Sequence, residues 1–517
     1  PSDDPFAARD PATLISETTF LKGCLFFLNF LFKTLAFRKF YGNINQKILL
    51  ESRKKMKELT RGNPAKLIIL FALPLFIGNV FQQFYSMVDM IVVGQTLGKD
   101  ALAAVGATSS VSFLIIGFAQ GLTSGLSIIT AQRFGAKDAQ GVRKSFATSI
   151  LISLGVTVVL TTLSLLFLRP LLLLMQTPPE LLDQAQDFIS ILLGGIFASM
   201  AFNLLSNMVR ALGDSRTPLF FLAFAVVINV VLDLIFIIYF HMGVAGAGYA
   251  TVIAQVAASL MCVWFIRRKI PILQINRKHF SLNKEDFRIH LNSALPIGFQ
   301  SSIIAIGAVI LQSALNTLGT DVVAAQTTAS RIDQLAILPM MSFGITMATF
   351  TAQNYGAKEY GRILLGVKQC LVMSGIFSIF VGVLVITCGH YFVALFVNPS
   401  EVHVFQLTQT YFIINGSLYW VLAILFILRY TLQGLGQAKI PTIAGIMELV
   451  MRSFAAIILT HSFGFAGAAF ASPLAWMGST AVLLTSYFKA MRHLRKLDQE
   501  QAQERAMQLE LEMEGEA

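Results

Sequence analysis

The sequence predicts an all-α membrane protein of twelve transmembrane helices in two parallel six-helix lobes. Three observations carry that expectation. The first is composition: 55% of residues are hydrophobic, 13% are charged, and the mean hydropathy is +0.68. Soluble domains carry about 25% charged residues, so most of this surface must face lipid or other apolar helices. The second is an internal repeat. Ala131-Gln-Arg-Phe-Gly-Ala-Lys137 returns as Ala352-Gln-Asn-Tyr-Gly-Ala-Lys358, 221 residues later. Ala72-Leu-Pro74 returns as Ala294-Leu-Pro296, Leu97-Gly98 as Leu318-Gly319, and Met242-Gly-Val-Ala-Gly-Ala247 as Phe463-Gly-Phe-Ala-Gly-Ala468. A period that long is a duplicated lobe rather than a solenoid repeat. The third is charge placement. Basic residues fill every second loop, which by the positive-inside rule makes those loops and both ends of the core cytoplasmic.

Taken in order, residues 1–61 form an N-terminal extension that does not fit the repeat. The chain starts with Pro, and Phe20–Phe37 is apolar but carries Lys22 and Lys33. No small-residue cleavage site follows, which disfavours a signal peptide. An interfacial or disordered extension is expected, with Met56 as a natural start. The N-lobe covers 62–267, with spans near 66–90, 102–131, 146–168, 188–210, 217–240 and 246–267. Each is long enough for a hydrocarbon core of about 30 Å, which takes roughly 20 helical residues. A basic, polar cytoplasmic linker covers 268–290. The C-lobe covers 291–490, with spans near 292–317, 322–351, 366–390, 405–432, 439–461 and 466–488. An even number of spans per lobe makes the copies parallel repeats about an axis along the membrane normal. The remainder, 491–517, is a charged cytoplasmic tail, expected as a solvated, frayed helix. Pro74, Gly78, Gly94, Pro296, Gly298, Pro339 and Gly344 interrupt spans and either bend them or let them pack closely.

Several function classes are excluded or disfavoured. The net charge of +11 follows membrane topology and is no nucleic-acid signal. Cys24, Cys262, Cys370 and Cys388 are scattered without metal or disulfide spacing, and no nucleophile–base set or phosphate loop suggests an enzyme. Duplicated lobes in a membrane chain suit a transporter with its site between the halves.

The candidate site is read from polar residues inside spans. An ionisable group there costs about 2.5–3.5 kcal/mol on insertion scales, so each needs a reason. In the N-lobe these are Asp89 in span one and Asn229 and Asp233 in span five. The latter two lie four residues apart, on one helix face. At about 1.5 Å per residue, Asp233 lies roughly 20 Å into the membrane, Asp89 roughly 33 Å along its helix, and Thr251 about 8 Å below the outer start of span six. All fall in the outer half of the membrane at comparable levels. Two carboxylates and neutral oxygens at one depth suit a proton or a sodium ion.

The C-lobe does not copy this set: the positions matching Asp89 and Asp233 fall near Ile310 and Ala456. Its polar residues include Gln300, Gln312, Asn316, Arg331, Asp333, Glu448 and Arg452. Glu448 and Arg452 are expected to pair, being four apart in span eleven. Arg331 and Asp333, two apart in span eight, face differently, and Gln300 is read as helix–helix glue. Tyr85, Tyr419, Trp420 and neighbouring Met and Phe residues are read mainly as packing and secondarily as cavity lining.

The ordered motifs resemble the multidrug and toxic compound extrusion (MATE) family of cation-coupled antiporters, over about residues 62–490. The resemblance rests on Ala72-Leu-Pro74, Val88-Asp-Met-Ile-Val-Val-Gly94, Arg210-Ala-Leu-Gly-Asp214, the repeated Ala-Gln-x-x-Gly-Ala-Lys loops and the Gly-x-Ala-Gly-Ala starts of spans six and twelve. It implies two lobes around a V-shaped cavity of alternating access. It also implies export of amphipathic, often cationic compounds across the plasma membrane, as in the bacterial inner membrane, in exchange for H⁺ or Na⁺. The family's N-lobe cation positions match Asp89, Asn229, Asp233 and Thr251. Its acids in spans seven and ten have no match, since Gln300 stands near the former. Small organic substrates, a coupling ion and membrane lipids are the expected partners, with no cofactor, no nucleic acid and a monomer as the working unit. The alternatives are a flippase for lipid-linked precursors, kept open by Arg331, Arg429 and Arg452, and a receptor or scaffold that does not transport.

Overall fold

The computed structural model describes residues 58–174, 178–280, 283–394, 396–397 and 401–515. The expectations for residues 1–57 lie outside them. Glu58–Ala517 forms one compact unit. Its described residues are helical throughout, with no strand among them.

The N-lobe contains α1 (Pro64–Leu97), α2 (Lys99–Gly135), α3 (Ala139–Leu174), α4 (Pro179–Gly194), α5 (Ile196–Ala211), α6 (Arg216–Leu234) and α7 (Gly243–Lys269). The C-lobe contains α8 (Lys284–Asn316), α9 (Thr320–Gly356), α10 (Tyr360–Val393), α11 (Val402–Gly416), α12 (Tyr419–Gly434), α13 (Lys439–Phe454), α14 (Thr460–Ala469) and α15 (Ala471–Gly515). Local chemistry sets the starts of the leading helices. Asn63 caps α1 by accepting from the Lys66 amide, and Pro64 supplies the first helical residue, where no amide donor is required. Asn283 caps α8 the same way, with Glu285 and Asp286 in the first turn favourably placed at the positive end of the helix dipole.

Nine of the described helices are long and apolar enough to cross a membrane, and eleven do so when each bent pair counts as one span. The twelfth predicted span, 466–488, occupies the end of α14 and the beginning of α15. It is diluted by Ser472, Ser479, Thr480, Thr485 and Ser486. The helices run past the predicted spans at most ends, because the backbone keeps its hydrogen bonds beyond the hydrocarbon region.

The duplication is visible in the backbone itself. Lys137 and Lys358 share φ 58°, Gly98 and Gly319 have φ 87° and 104°, and Gly243 and Gly464 have φ 60° and 58°. One π turn spans Ile235–Tyr239 and its counterpart spans Ala455–Leu459. The fourth span of each lobe is sharply bent, by 45° between α4 and α5 and by 48° between α11 and α12. Neither bend is at a proline. The first falls at Gly195 and the second directly after Gly416, while Pro74, Pro170, Pro296 and Pro339 lie inside unbroken helices. Neighbouring side chains and local backbone adjustment re-satisfy the carbonyls that a proline frees.

One boundary of the core shifts. Leu59, assigned to the extension, is 2% exposed and part of the C-lobe core. Its amide donates to Gln353 Oε1 at 2.9 Å, and its carbonyl accepts from Arg362 and Asn354. Within the linker, Pro271–Leu273 and Arg277–His279 form short 3-10 turns, and α8 begins at Lys284. The tail continues α15 as helix, and Asp498 accepts from the Gly361 amide at 2.9 Å, tying it to the start of α10.

The lobes meet along two antiparallel seams. In one, α1 faces α9, with Asn79 donating to Ser342 and Gln83 to Gln334. In the other, α2 faces α8, with Ser302 donating to the Leu114 carbonyl and Ser293 to the Gly125 carbonyl. Among the described residues, inter-lobe hydrogen bonds run from the end of the molecule that carries the basic loops only as far as Gln83 and Leu114. The described side chains in the last turns of α1 and the first turns of α2 make none.

Candidate cation site

Four helical stretches build the N-lobe site. The far third of α1 carries Tyr85 and Asp89, one helical turn apart on one face. The far end of α6 carries Asn229 and Asp233, also one turn apart, immediately before the π turn. The first turns of α7 carry Thr251. An extra residue in a helical turn changes which way the following side chains point, and π turns recur at functional sites for that reason.

The structure brings all four sequence-predicted residues together. Asp233 is fully buried and Asn229 is 1% exposed. Asn229 Nδ2 donates to Thr251 Oγ1 at 3.3 Å, and the Tyr85 hydroxyl lies 3.2 Å from the same oxygen. Asp89 and Asp233 are close enough for each carboxyl to feel the other's charge. Neither carboxyl has a basic partner: no ion pair among the described residues includes Asp89 or Asp233. Both Asp233 oxygens, Asp89 Oδ1 and Asn229 Oδ1 are buried without a hydrogen-bond donor.

That arrangement has a definite chemical meaning. Two neighbouring carboxylates in an apolar interior repel, and one charge alone is costly to bury there. A proton between them, or a small cation bound by them, removes most of that penalty. Asn229 Oδ1, the Thr251 hydroxyl and the Tyr85 hydroxyl supply neutral oxygens around the acids, and hard oxygen donors suit H⁺ or an alkali cation. Sequence reasoning treated Tyr85 as packing. Its spacing of four from Asp89 was the available signal.

The C-lobe residues behave differently. Asp333 on α9 is buried and accepts from the hydroxyls of Tyr411 at 3.2 Å and of Tyr419, which is itself fully buried. Arg331, two residues away, points to an exposed face. Glu448 does not pair with Arg452: it pairs with Arg429 from α12, which also reaches Ser479 on α15. Spacing along one helix ignores neighbours, and the facing helix presents a guanidinium at closer range. Arg452 instead donates to the Ile304 carbonyl at 3.4 Å. Gln300 is buried and accepts from Gln433 Nε2 at 3.0 Å, joining α8 to α12 as the helix–helix glue expected of it. Gln312 and Asn316 bond to each other on an exposed face.

Both lobes match known proteins. A family model described as MatE matches residues 74–235 and 296–458, one match per lobe. Over 348 residues the chain is 29% identical to the probable multidrug resistance protein YpnP of Bacillus subtilis (strain 168), covering 67% of this chain and 78% of that protein. It is 24% identical over 409 residues to the multidrug export protein MepA of Staphylococcus aureus (strain MSSA476), covering 78% and 88%. Among solved structures, it superposes with TM-score 0.79 and 26% identity on an outward-facing multidrug resistance transporter of the MOP superfamily, covering 86% of this chain and all of that one.

Proposed function

This chain belongs to the MatE family, and on that premise we propose that it is an antiporter that exports amphipathic, often cationic organic compounds in exchange for H⁺ or Na⁺. The names of its relatives support efflux of several compounds. One observation supports the coupling: two neighbouring carboxyls, Asp233 fully buried and Asp89 partly so, with unpartnered buried oxygens and no basic residue paired to either. The basic end is the cytoplasmic end under this reading, by the positive-inside rule.

When Asp89 and Asp233 hold no cation, the N-lobe carries buried negative charge that favours a cationic cargo in the cavity. Uptake of H⁺ or Na⁺ from outside offsets that charge by one for each ion taken up. The cargo loses its attraction, the two carboxyls draw together, and α1, α6 and α7 repack around them. A ligand shifts a conformational equilibrium only by its differential affinity for the two states, and the carboxyl pair provides that difference. The lipid-precursor reading is weaker, because Arg429, one of the basic residues that kept it open, is already spent on Glu448.

The test is efflux of a fluorescent organic cation from vesicles containing the protein, with the proton and sodium gradients collapsed one at a time. Loss of efflux with one gradient and not the other identifies the coupling ion. Efflux that survives collapse of both refutes the reading.

A further inference from the structure

The repeated Ala-Gln-x-x-Gly-Ala-Lys motif has no part in the cation site, yet it is the most closely duplicated segment of the chain. Its two copies end α2 and α9, at the basic end of the molecule, and there they touch. Gln132 Nε2, in the N-lobe copy, donates to the Gly434 carbonyl at the end of α12 in the C-lobe, at 2.9 Å. Gln353 Nε2, in the C-lobe copy, donates to the Ala211 carbonyl at the end of α5 in the N-lobe, at 2.7 Å. Each glutamine thus caps the last turn of the other lobe's bent span, filling an acceptor that a helix C-terminus leaves open.

The backbone contact is reciprocal too. A Cβ on Gly135 would overlap the Gln353 carbonyl, and a Cβ on Gly356 would overlap the Gln132 carbonyl. The glycine of each motif therefore receives the glutamine of the other. We propose that Gln132 and Gln353 are paired gate residues: a two-fold clasp that closes the cytoplasmic side of the central cavity and must release for the chain to open inward. The clasp rests on the antiport reading only in requiring that the lobes part at the basic end.

Two features make it a gate rather than ordinary packing. Both acceptors are backbone carbonyls at helix ends, so water satisfies them once the lobes separate, and opening leaves no buried orphan. Both donors are neutral, so the clasp carries no charge-pair penalty in either state. Neutral hydrogen bonds of this kind are individually modest, which suits a contact that breaks in every cycle. Gln353 also accepts from the Leu59 amide, so the C-lobe copy is joined to the segment leading into α1, the helix that carries Asp89.

The experiment measures the distance between spin labels at Lys137→Cys and Lys358→Cys, exposed positions on opposite lobes beside the clasp. The chain is full length, its own cysteines are replaced by alanine, and no substrate is added. Gln132→Met and Gln353→Met keep length and volume while removing the donor; Gln353→Met also removes the acceptor of the Leu59 amide, so Gln132→Met reads the clasp alone. The double variant is expected to raise the ratio of separated to closed lobes on the order of tenfold, with smaller shifts in each single variant. Gly135→Ala, with both glutamines intact, must shift the distribution the same way. An unchanged distribution in the double Met variant and in Gly135→Ala overturns the clasp. These distances need no ion gradient, so their failure is distinct from failure of the antiport reading, which shows as efflux indifferent to both gradients.

Discussion

The two lobes share a backbone and differ in what they do with buried acids. The π turns, the bent fourth spans, the left-handed lysines and the glycine turns recur at matching positions in both. In the N-lobe, however, Asp89 Oδ1 and both Asp233 oxygens are buried without a partner. In the C-lobe, Asp333 holds two tyrosine hydroxyls and Glu448 holds Arg429. The scaffold is common to both copies, while buried carboxyl oxygens without partners occur, among the described residues, in the N-lobe copy alone. A buried acid that already has its partners is a structural brace, while one without them is a vacancy for charge.

The sharpest contrast is between Asp233→Asn and Asp333→Asn. The first removes half of the carboxyl pair and is expected to reduce gradient-driven efflux at least a hundredfold, to background, with the protein still in the membrane. The second should leave gradient dependence intact and lower thermal stability by about 1–3 kcal/mol, the cost of disturbing a satisfied buried acceptor. If Asp333→Asn abolished coupling while Asp233→Asn transported normally, the lobes would exchange roles. Efflux assays in vesicles and melting in detergent read the two effects separately.

Next in size is Arg429→Met, which leaves Glu448 buried with no counter-charge. A loss of about 3–5 kcal/mol in stability is expected, and adding Glu448→Leu should recover much of it, since a buried pair replaced as a unit is often neutral. Melting temperatures of the single and double variants check this. Failure of the second change to rescue would mean that the pair does more than brace α12 against α13.

The smallest expected effect belongs to Tyr85→Phe. It removes one hydroxyl from the shell around Thr251 and keeps the ring. A several-fold weakening of ion-dependent efflux is expected, with the equivalent of about 1 kcal/mol at stake. The half-saturating ion concentration measures it. No change would confine the site to the four residues picked out by their cost in the membrane.

Much of this was legible in the sequence, for physical reasons that also explain the gaps. Long apolar runs and a repeat of 221 residues specify helices and lobes, because lipid tolerates few other solutions. Asp89 and Asp233 stand out because an acid in a span is expensive, whereas Tyr85 is not expensive and passes as packing. Glu448 and Arg452 were paired by spacing along one helix, but the partner came from α12, and nothing in a linear pattern reports which helix lies opposite. The bends escaped for a similar reason. Proline is the usual suspect, yet the sharp turns are at Gly195 and beside Gly416, where packing rather than ring chemistry decides.

Each lobe's leading segment is anchored in the other lobe: Leu59 lies against Gln353, Asn354 and Arg362, while Asp286 pairs with Arg133 and His290 bonds Ser145. That is the geometry of an arm-exchanged dimer fused into one polypeptide. Neither half is complete alone, so a half-length ancestor with this architecture would have had to assemble in pairs to cover its own seam.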